Sequence, residues 1–281
     1  MSTIKDRQRA AARARLEKEM AERATSAKKR RQRQAIIGSA LAVVVIAGAA
    51  VWIVTALGSD DDDAGQNTAA APPAGTVACQ WIPEDGSTGA KDKDVGTPPP
   101  NAPNTGTSTL TMDTGLGAIT ATVDLAKAPC TGAAFTYLAS KKFWDNSKCH
   151  RLTTEGIKVL QCGDPSASGK GYRDTDGTGG PSFRYAEENL PADAATNGKP
   201  AYPKGTIAMA KTSAPSTTGS QFFIVYEDTE LPPEYTVLGT ITKGMEIVES
   251  VAKAGTDNAN GQGDGHPKKE IDIKTLTMAA A

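Results

Sequence analysis

The sequence is poor in the residues on which most enzyme chemistry depends. It contains only two histidines, His150 and His266, among 281 residues. His266 lies in a stretch rich in Gly, Asp and Asn, which predicts an exposed loop, so a Ser-His-Asp or Cys-His arrangement would have to be built on His150. GxSxG, HExxH, phosphate-loop and dinucleotide-binding motifs are also absent from the sequence. Hydrolase, nucleotide-dependent and zinc-enzyme functions are therefore disfavoured, and we expect no cofactor and no metal.

Aromatic residues form only 5% of the chain, whereas it contains 28 glycines and 17 prolines. This composition predicts one compact domain with long linkers. Most of residues 58–106 are acidic or rich in Ala, Pro and Gly and lack apolar periodicity, so we assign this stretch as a solvated linker. Cys79 and Trp81 interrupt it, and we expect an island at 77–83 to be pinned to the folded domain by a disulfide and by packing of the indole ring.

Charge and hydropathy divide the N-terminal part of the chain. Residues 1–34 contain twelve Lys and Arg against four Asp and Glu, and an uncharged, mostly apolar run of 23 residues follows at 35–57. At about 1.5 Å per residue this run can cross a hydrocarbon core of about 30 Å, so it predicts one transmembrane helix. The basic residues before the run and the aspartates at 60–63 after it predict a cytoplasmic N-terminal arm, an extracytoplasmic remainder and a single-pass location in the cell membrane.

Two alternatives fit this N-terminal pattern less well. A cleaved signal peptide has a shorter apolar core that lies nearer the N-terminus. An arm that binds nucleic acid would contain aromatic residues to stack on bases, and residues 1–34 contain none. We therefore expect a retained membrane anchor and no nucleic-acid partner.

All four cysteines follow the predicted span, on the side where disulfides persist: they are Cys79, Cys130, Cys149 and Cys162. No pair has CxxC spacing, so two disulfides are favoured over a metal site. The sequence leaves all three pairings of the four cysteines open.

From about Thr107 the pattern changes to short segments with alternating apolar residues, which indicate strands, and to two stretches with helical spacing. The first two strand candidates form a hairpin across a turn at 113–115. Strands are predicted near 110–112, 119–123, 149–153, 158–162, 205–210, 221–226, 235–241 and 271–278, and helices near 131–140 and 244–254. Eight short antiparallel strands with two helices predict a mostly β domain over 107–281, in which the helices cap a closed eight-stranded barrel.

Two segments have no general structural meaning: CHRLTTEGIKVLQCGDP at 149–165 and GTIAMAKTSAPSTTGSQFFIVY at 205–226. Together, in this order and spacing, they resemble the two signature stretches of cyclophilins, and the resemblance extends over 108–280. It implies a cyclophilin-like barrel and peptidyl-prolyl cis-trans isomerase activity on Pro-containing polypeptides. That reaction needs no nucleophile or metal, because lowering an amide rotation barrier of about 18–20 kcal/mol requires only tighter binding of the twisted amide.

The resemblance also implies roles for individual residues. Arg151 matches the catalytic arginine, which hydrogen-bonds the prolyl nitrogen or the adjacent carbonyl. Gln161 matches the glutamine that positions this arginine. Phe223 matches the aromatic floor of the proline pocket, and Gln221 lies two residues earlier on the same strand face. His150 must face the opposite side of its strand, and we expect it to be buried and hydrogen-bonded.

The chain departs from the family at several pocket positions. The pocket phenylalanine that follows the arginine falls on Ile157, Lys158 or Val159, and we take Ile157 and Val159 as pocket walls. An asparagine after the Met-Ala dipeptide is replaced by Lys211, whose charge favours acidic flanking residues in the substrate. The family's rim histidine and indole positions fall on Tyr235 and near Leu231. The expected substrate-binding set is Phe223, Gln221, Ile157, Val159, Ala210, Lys211, Leu231 and Tyr235.

Three functional hypotheses follow from the sequence. The first is a membrane-anchored isomerase, with a monomeric catalytic domain, that assists folding of secreted or envelope proteins. The second is a catalytically weak module of the same shape that binds Pro-containing segments. The third is a structural envelope protein that acts through its basic arm. Loss of Arg151 distinguishes the first from the second, because a binding module tolerates that loss.

Overall fold

The computed structural model describes residues 71–84, 92–192, 200–229 and 231–280. The predicted basic arm (1–34) and transmembrane run (35–57) lie outside these residues. Among the described residues, no helix combines the length and apolarity needed to cross a membrane.

The described residues form sixteen strands and two helices. The helices are α1 (Pro129–Ser140) and α2 (Met245–Ala254), close to the two predicted segments. Strands β1 to β16, in chain order, are Thr76–Ala78, Ile82–Pro83, Asp92–Lys93, Asn101–Pro103, Thr107–Thr114, Gly117–Asp124, Ser147–Lys148, Arg151–Thr153, Val159–Cys162, Gly180–Pro181, Phe183–Arg184, Thr206–Met209, Phe222–Val225, Val237–Lys243, Asp264–Gly265 and Asp272–Ala280.

Ten of the strands form one antiparallel sheet, in the order β15, β8, β9, β13, β12, β14, β6, β5, β16, β7. Its longest hairpin, β5–β6, alternates as predicted: Leu110 and Met112 on β5 and Ile119, Ala121 and Val123 on β6 are buried. This face therefore packs inward, in agreement with the period of two in the sequence.

The strand pairing differs from the predicted closed barrel of eight strands. The ladder of the described residues has ten strands and two edges, β15 and β7. Only two residues separate β7 at one edge from β8 near the other edge, so the sheet must curl to bring its ends together. The additional strands β7 and β15 have two residues each, which is too short for alternation to reveal them in the sequence.

The two helices pack their apolar residues against the curled sheet. Helix α1 begins with proline in its first turn, where a missing N–H breaks no helical hydrogen bond, and it buries Phe135 and Leu138. The Phe135 ring lies 4.9 Å from Trp144 and 5.8 Å from Phe222, measured between ring centroids. Trp144 Nε1 donates to the carbonyl of Gly163 at 3.1 Å, so the aromatic core supports the segment that follows β9.

The N-terminal segment is held to the domain more extensively than the sequence predicted. Cys79 is bonded to Cys130 in α1, and the Trp81 ring packs edge-on against Phe183 and Tyr185 at 5.4 and 5.5 Å. Strands β1, β2 and β3 pair with β4, β11 and β10. Part of the expected linker is therefore ordered beyond the island: β4 buries Ala102 completely, and β3 is paired.

Candidate active site

One row of residues crosses five adjacent strands on a single face of the sheet. Arg151 on β8 lies opposite Gln161 on β9, which lies opposite Phe223 on β13. Phe223 lies opposite Ala208 on β12, and Ala208 lies opposite Val237 on β14. Directly opposed residues in a sheet share a face. The row therefore changes from a charged end at Arg151 to an apolar end at Val237.

The polar end is organised by a chain of side-chain hydrogen bonds. Gln221 Nε2 donates to the carbonyls of Gly177 (2.8 Å) and Gly179 (2.9 Å), so its amide oxygen faces the other way and accepts from Gln161 Nε2 at 3.0 Å. The Gln161 oxygen in turn accepts from Arg151 Nη1 at 3.4 Å. Each amide orientation thus follows from its neighbour, which gives the arginine a defined acceptor on this side.

The chain of hydrogen bonds ends at the turn that contains Gly177 and Gly179, and a buried carboxylate holds this turn. Asp164 is fully buried and accepts from the backbone N–H groups of Ser166, Gly177 and Gly179 at 2.7, 2.6 and 3.1 Å. Burial alone would raise the pKa of Asp164, but the hydrogen bonds from Ser166, Gly179 and Gly177 lower it below its ordinary value. Asp164 therefore stays ionised and fixes the two carbonyls that orient Gln221.

Sequence reasoning missed the residue that contacts Arg151 most closely. Asp264 accepts from Arg151 Nε at 2.8 Å and from Nη2 at 2.6 Å, a two-point contact. This hydrogen bonding lowers the pKa of Asp264 and raises the pKa of Arg151, so both groups remain charged. The two residues are 113 positions apart in sequence, and only the pairing of β15 with β8 brings them together. No local motif could have indicated the contact.

A second apolar cluster, separate from the core, surrounds Phe223. Its buried members include Val159 and Phe223, and Ile157, Ala210, Leu231 and Tyr235 are partly buried against them. The structure thus brings all six predicted apolar pocket residues into one cluster. We call this cluster, with Tyr202, the apolar pocket.

The aromatic rings of the pocket are fixed by their neighbours. Tyr235 meets the Phe223 ring edge-on, with centroids 5.5 Å apart. Sequence reasoning missed Tyr202, which is fully buried and packs against both rings at 6.2 Å. Its hydroxyl accepts from the Tyr235 N–H at 2.9 Å and donates to the Tyr235 carbonyl at 3.0 Å. Tyr202 therefore holds both the ring and the backbone of the rim residue Tyr235.

A groove of about 490 Å³ adjoins the row on the Gln161 side. Gln161, Gln221, Ala210 and Lys211 line it together with the turn at 177–181. The Lys211 side chain is only 8% exposed, and its Nζ lies 3.6 Å from a carboxylate oxygen of Glu187. The expectation that Lys211 attracts acidic substrate residues is therefore weakened, because its charge already has a partner.

The loop at 166–176 approaches Arg151, and its residues Arg173, Asp174 and Asp176 line one cavity together with the arginine. The Tyr172 ring stacks on His266, with centroids 4.5 Å apart and planes 9° from parallel. The fully buried Lys148 anchors the segment, because its Nζ donates to the carbonyls of Gly169 (2.5 Å) and Gly171. This loop is thus tied to the domain by contacts with His266 and Lys148.

His150 differs in one respect from its prediction. It is buried, as expected, with 4% of its surface exposed, but neither ring nitrogen has a hydrogen-bond partner among the described residues. Burial lowers the pKa of His150 to about 4, although Asp164 and Asp176 act in the opposite direction. The imidazole is neutral at neutral pH, so it does not act as a charged group beside Arg151.

Two disulfides resolve the pairing that the sequence left open. Cys79 is joined to Cys130, and Cys149 is joined to Cys162. The second bond joins Cys149, two residues before Arg151 on β8, to Cys162, the residue after Gln161 on β9. Within the described residues there is no cluster of three or more His, Cys, Asp or Glu that could hold a metal ion.

The site thus combines a fixed guanidinium, two amide side chains and an aromatic-floored apolar pocket on one sheet face. A surface with hydrogen-bonding groups beside an apolar pocket is typical of proteins that bind an extended polypeptide through its backbone and one apolar side chain. The family model for the cyclophilin type peptidyl-prolyl cis-trans isomerase/CLD matches residues 109–278. The chain belongs to this family, and its described domain has the mostly β, two-helix fold of a cyclophilin-like protein.

Curated relatives agree with this assignment. The chain is 43% identical over 180 residues to "Probable peptidyl-prolyl cis-trans isomerase B" of Mycobacterium leprae, which covers 61% of this chain and 57% of the relative. It is 42% identical over 160 residues to the protein of the same name from Mycobacterium tuberculosis, covering 54% and 48%. The chain thus spans about half the length of these curated relatives. A solved cyclophilin type isomerase of Cryptosporidium parvum aligns with a TM-score of 0.44 and 23% identity, covering 62% of this chain and 99% of that structure.

Proposed function

We propose that this chain is a peptidyl-prolyl cis-trans isomerase that acts on Pro-containing polypeptides. The observation that carries the proposal is the row in which Arg151, Gln161 and Phe223 lie side by side on three adjacent strands. Rotation about a prolyl amide has a barrier of about 18–20 kcal/mol, which arises from conjugation between the nitrogen and the carbonyl. A catalyst needs a pocket that holds the proline ring and a donor that stabilises the nitrogen once conjugation is lost.

The apolar pocket is the proposed binding site for the proline ring. Phe223 forms the floor, Tyr235 forms an aromatic edge, and Ile157, Val159 and Leu231 provide aliphatic walls. A five-membered ring fits such a surface because it has only apolar atoms beyond the amide nitrogen. The pocket therefore holds one side of the rotating bond still while the other side turns.

Arg151 is the proposed catalytic residue. A guanidinium remains charged and presents donors in a fixed plane, which suits an acceptor that is strongest in the twisted state. In the planar ground state the prolyl nitrogen is a poor acceptor, because its lone pair is delocalised. The interaction with Arg151 therefore strengthens toward the transition state, which is the requirement for acceleration.

The groove is the proposed path of the substrate backbone next to the proline. Gln161 positions Arg151, and Gln221 with the backbone of Ala210 and Lys211 lies along the groove wall. An extended segment on this path would place its prolyl bond between the apolar pocket and Arg151.

The test is the isomerisation rate of an Ala-Pro peptide with the full-length, oxidised chain in detergent micelles. We expect Arg151→Ala to reduce kcat/KM by about 100- to 1000-fold, the usual effect of removing one preorganised donor. The matched control is Lys204→Ala, which removes a cation from an exposed ion pair with Glu249; its rate should equal that of wild type. A folded wild-type chain that gives no acceleration would leave the binding module as the better description.

We also propose that the domain is a monomer held outside the cytoplasm by a single transmembrane helix at 35–57, and that it assists the folding of secreted or envelope proteins. The apolar run with basic residues before it, and two disulfides after it, support this arrangement. The test uses sealed, right-side-out vesicles. External protease should digest the domain and leave an epitope at the N-terminus protected, whereas digestion of the epitope would reverse the proposed topology.

A further inference from the structure

We propose that Asp264 is a positioning residue of the isomerase site: it fixes the orientation of the Arg151 guanidinium and so decides which N–H groups face the substrate. This inference rests on the proposed function and extends it to a residue that no sequence motif indicates. It begins from the two-point contact in which Asp264 Oδ1 and Oδ2 accept from Arg151 Nε and Nη2 at 2.8 and 2.6 Å.

The donors of the guanidinium can be accounted for individually. An arginine has five N–H groups, one on Nε and two on each terminal nitrogen. Asp264 takes the Nε–H and one N–H of Nη2, and Gln161 takes one N–H of Nη1 at 3.4 Å. One N–H on Nη1 and one on Nη2 remain. Because Asp264 occupies the Nε/Nη2 edge, the remaining Nη2 N–H lies on the terminal edge of the guanidinium, so this edge is the one presented to a substrate.

Asp264 is itself held in place before any substrate binds. Its backbone pairs β15 with β8, opposite Thr153, and its N–H donates to the Gly261 carbonyl at 3.0 Å. The Asn260 side chain donates to Asp264 Oδ1 at 3.2 Å, and the Asn260 N–H donates to the Asp264 carbonyl at 3.0 Å. The carboxylate is therefore a fixed reference point, not a mobile surface charge that happens to lie near the arginine.

The side chain of Arg151 requires a restraint of this kind to keep one orientation. Its side chain is 37% exposed, and a long side chain with that exposure samples several rotamers unless it is restrained. Its only other side-chain hydrogen bond in the described part of the chain is the longer contact with Gln161. Without Asp264 the guanidinium would keep its charge but lose its fixed plane. The turnover step should then suffer more than peptide binding, because the apolar pocket is untouched.

The experiment measures kcat and KM separately for the full-length chain, by NMR exchange on an Ala-Pro peptide. The variants are Asp264→Ala, Asp264→Asn and the control Asp257→Asn. Asp257 is a carboxylate of the same loop that accepts from the N–H groups of Ala259 and His266. The ¹H–¹⁵N signal of the Arg151 Nε–H group reports directly whether the two-point contact is present.

We expect Asp264→Ala to lower kcat about tenfold with KM unchanged within about twofold, and to shift the Arg151 Nε–H signal. Asp264→Asn keeps one acceptor oxygen, so it should lie between Asp264→Ala and wild type, while Asp257→Asn should match wild type in both readouts. If Asp264→Ala is unstable, Asp264→Asn carries the test.

Two results would overturn the inference and leave the proposed function intact: an unchanged kcat when the Nε–H signal has moved, or a loss confined to KM. A wild-type chain without activity would overturn both. The rate of the wild type therefore separates the failure of this inference from failure of the proposed function.

Discussion

Two neighbouring phenylalanines on β13 face opposite sides of the same sheet and belong to different clusters. Phe222 is completely buried in the core, where it meets Phe135, whereas Phe223 is 5% exposed and lies in the apolar pocket. The two side chains are identical and adjacent in sequence. Only the alternation of side chains along the strand places one in the core and the other in the apolar pocket. On the proposed function, the inner face of the sheet serves stability, and the row on the other face, from Arg151 to Val237, serves recognition of the substrate.

The largest expected effect comes from exchanging these two rings in turn for alanine. Phe222→Ala should lower the free energy of unfolding by about 4 kcal/mol, because it leaves a closed cavity in a packed core. Phe223→Ala should lower it by about half as much, since several neighbours of Phe223 are only partly buried and can close part of the space. Chemical denaturation of the two variants measures the difference. Equal losses would remove the distinction between the two faces.

The two disulfides also differ in their position relative to the candidate active site. The Cys79–Cys130 bond closes a separation of 51 residues and Cys149–Cys162 one of 13. Loop closure predicts losses of about 4 and about 3 kcal/mol when each pair is changed to alanine. Only the second pair flanks Arg151 and Gln161, so only its removal should also lower kcat. Thermal unfolding and rate measurements on both variants test this prediction. A kcat lowered only by loss of Cys79–Cys130 would contradict it.

A smaller effect is expected from pH. His150 is held neutral in the folded chain with a pKa of about 4, below its ordinary value of about 6.5 in an unfolded chain. As the pH falls, the unfolded chain therefore binds a proton before the folded chain does. The free energy of unfolding should then decrease progressively between about pH 6.5 and about pH 4. The loss is about 3 kcal/mol.

Denaturation at several pH values tests this expectation. The decrease in stability between pH 6.5 and 4 should be clearly smaller in His150→Gln, whereas the control His266→Gln should retain it. An equal decrease in wild type and His150→Gln would show that other groups are responsible.

The sequence predicted most residues in both halves of the site and missed one in each half. Ile157, Val159, Phe223 and Leu231 lie in or near two local motifs that resemble those of the family, so their common cluster could be anticipated from that resemblance. Asp264 could not, because its role depends on a strand of two residues that pairs with β8 from 113 positions away. Tyr202 lies in an irregular segment between the motifs, where no periodicity marks it.

The fold shows the same division between local and distant information. The β5–β6 hairpin and both helices follow from periodicity within each segment. The two edges of the sheet and the pairing of β2 and β3 with β11 and β10 depend on contacts across the chain, and these strands have only two residues each. Elements of this length have no measurable pattern of their own.

A comparison of Phe223→Ala and Arg151→Ala, in one assay of peptide binding and of the rate at saturating peptide, tests directly whether the two ends of the row have different roles. If the row divides recognition from catalysis, Phe223→Ala should weaken binding of an Ala-Pro peptide by about 100-fold, the effect of losing one buried aromatic contact. Arg151→Ala should bind that peptide within a few-fold of wild type and yet lose most of the rate at saturation. An Arg151→Ala chain that keeps the wild-type rate at saturating peptide would show that Arg151 is not the catalytic residue.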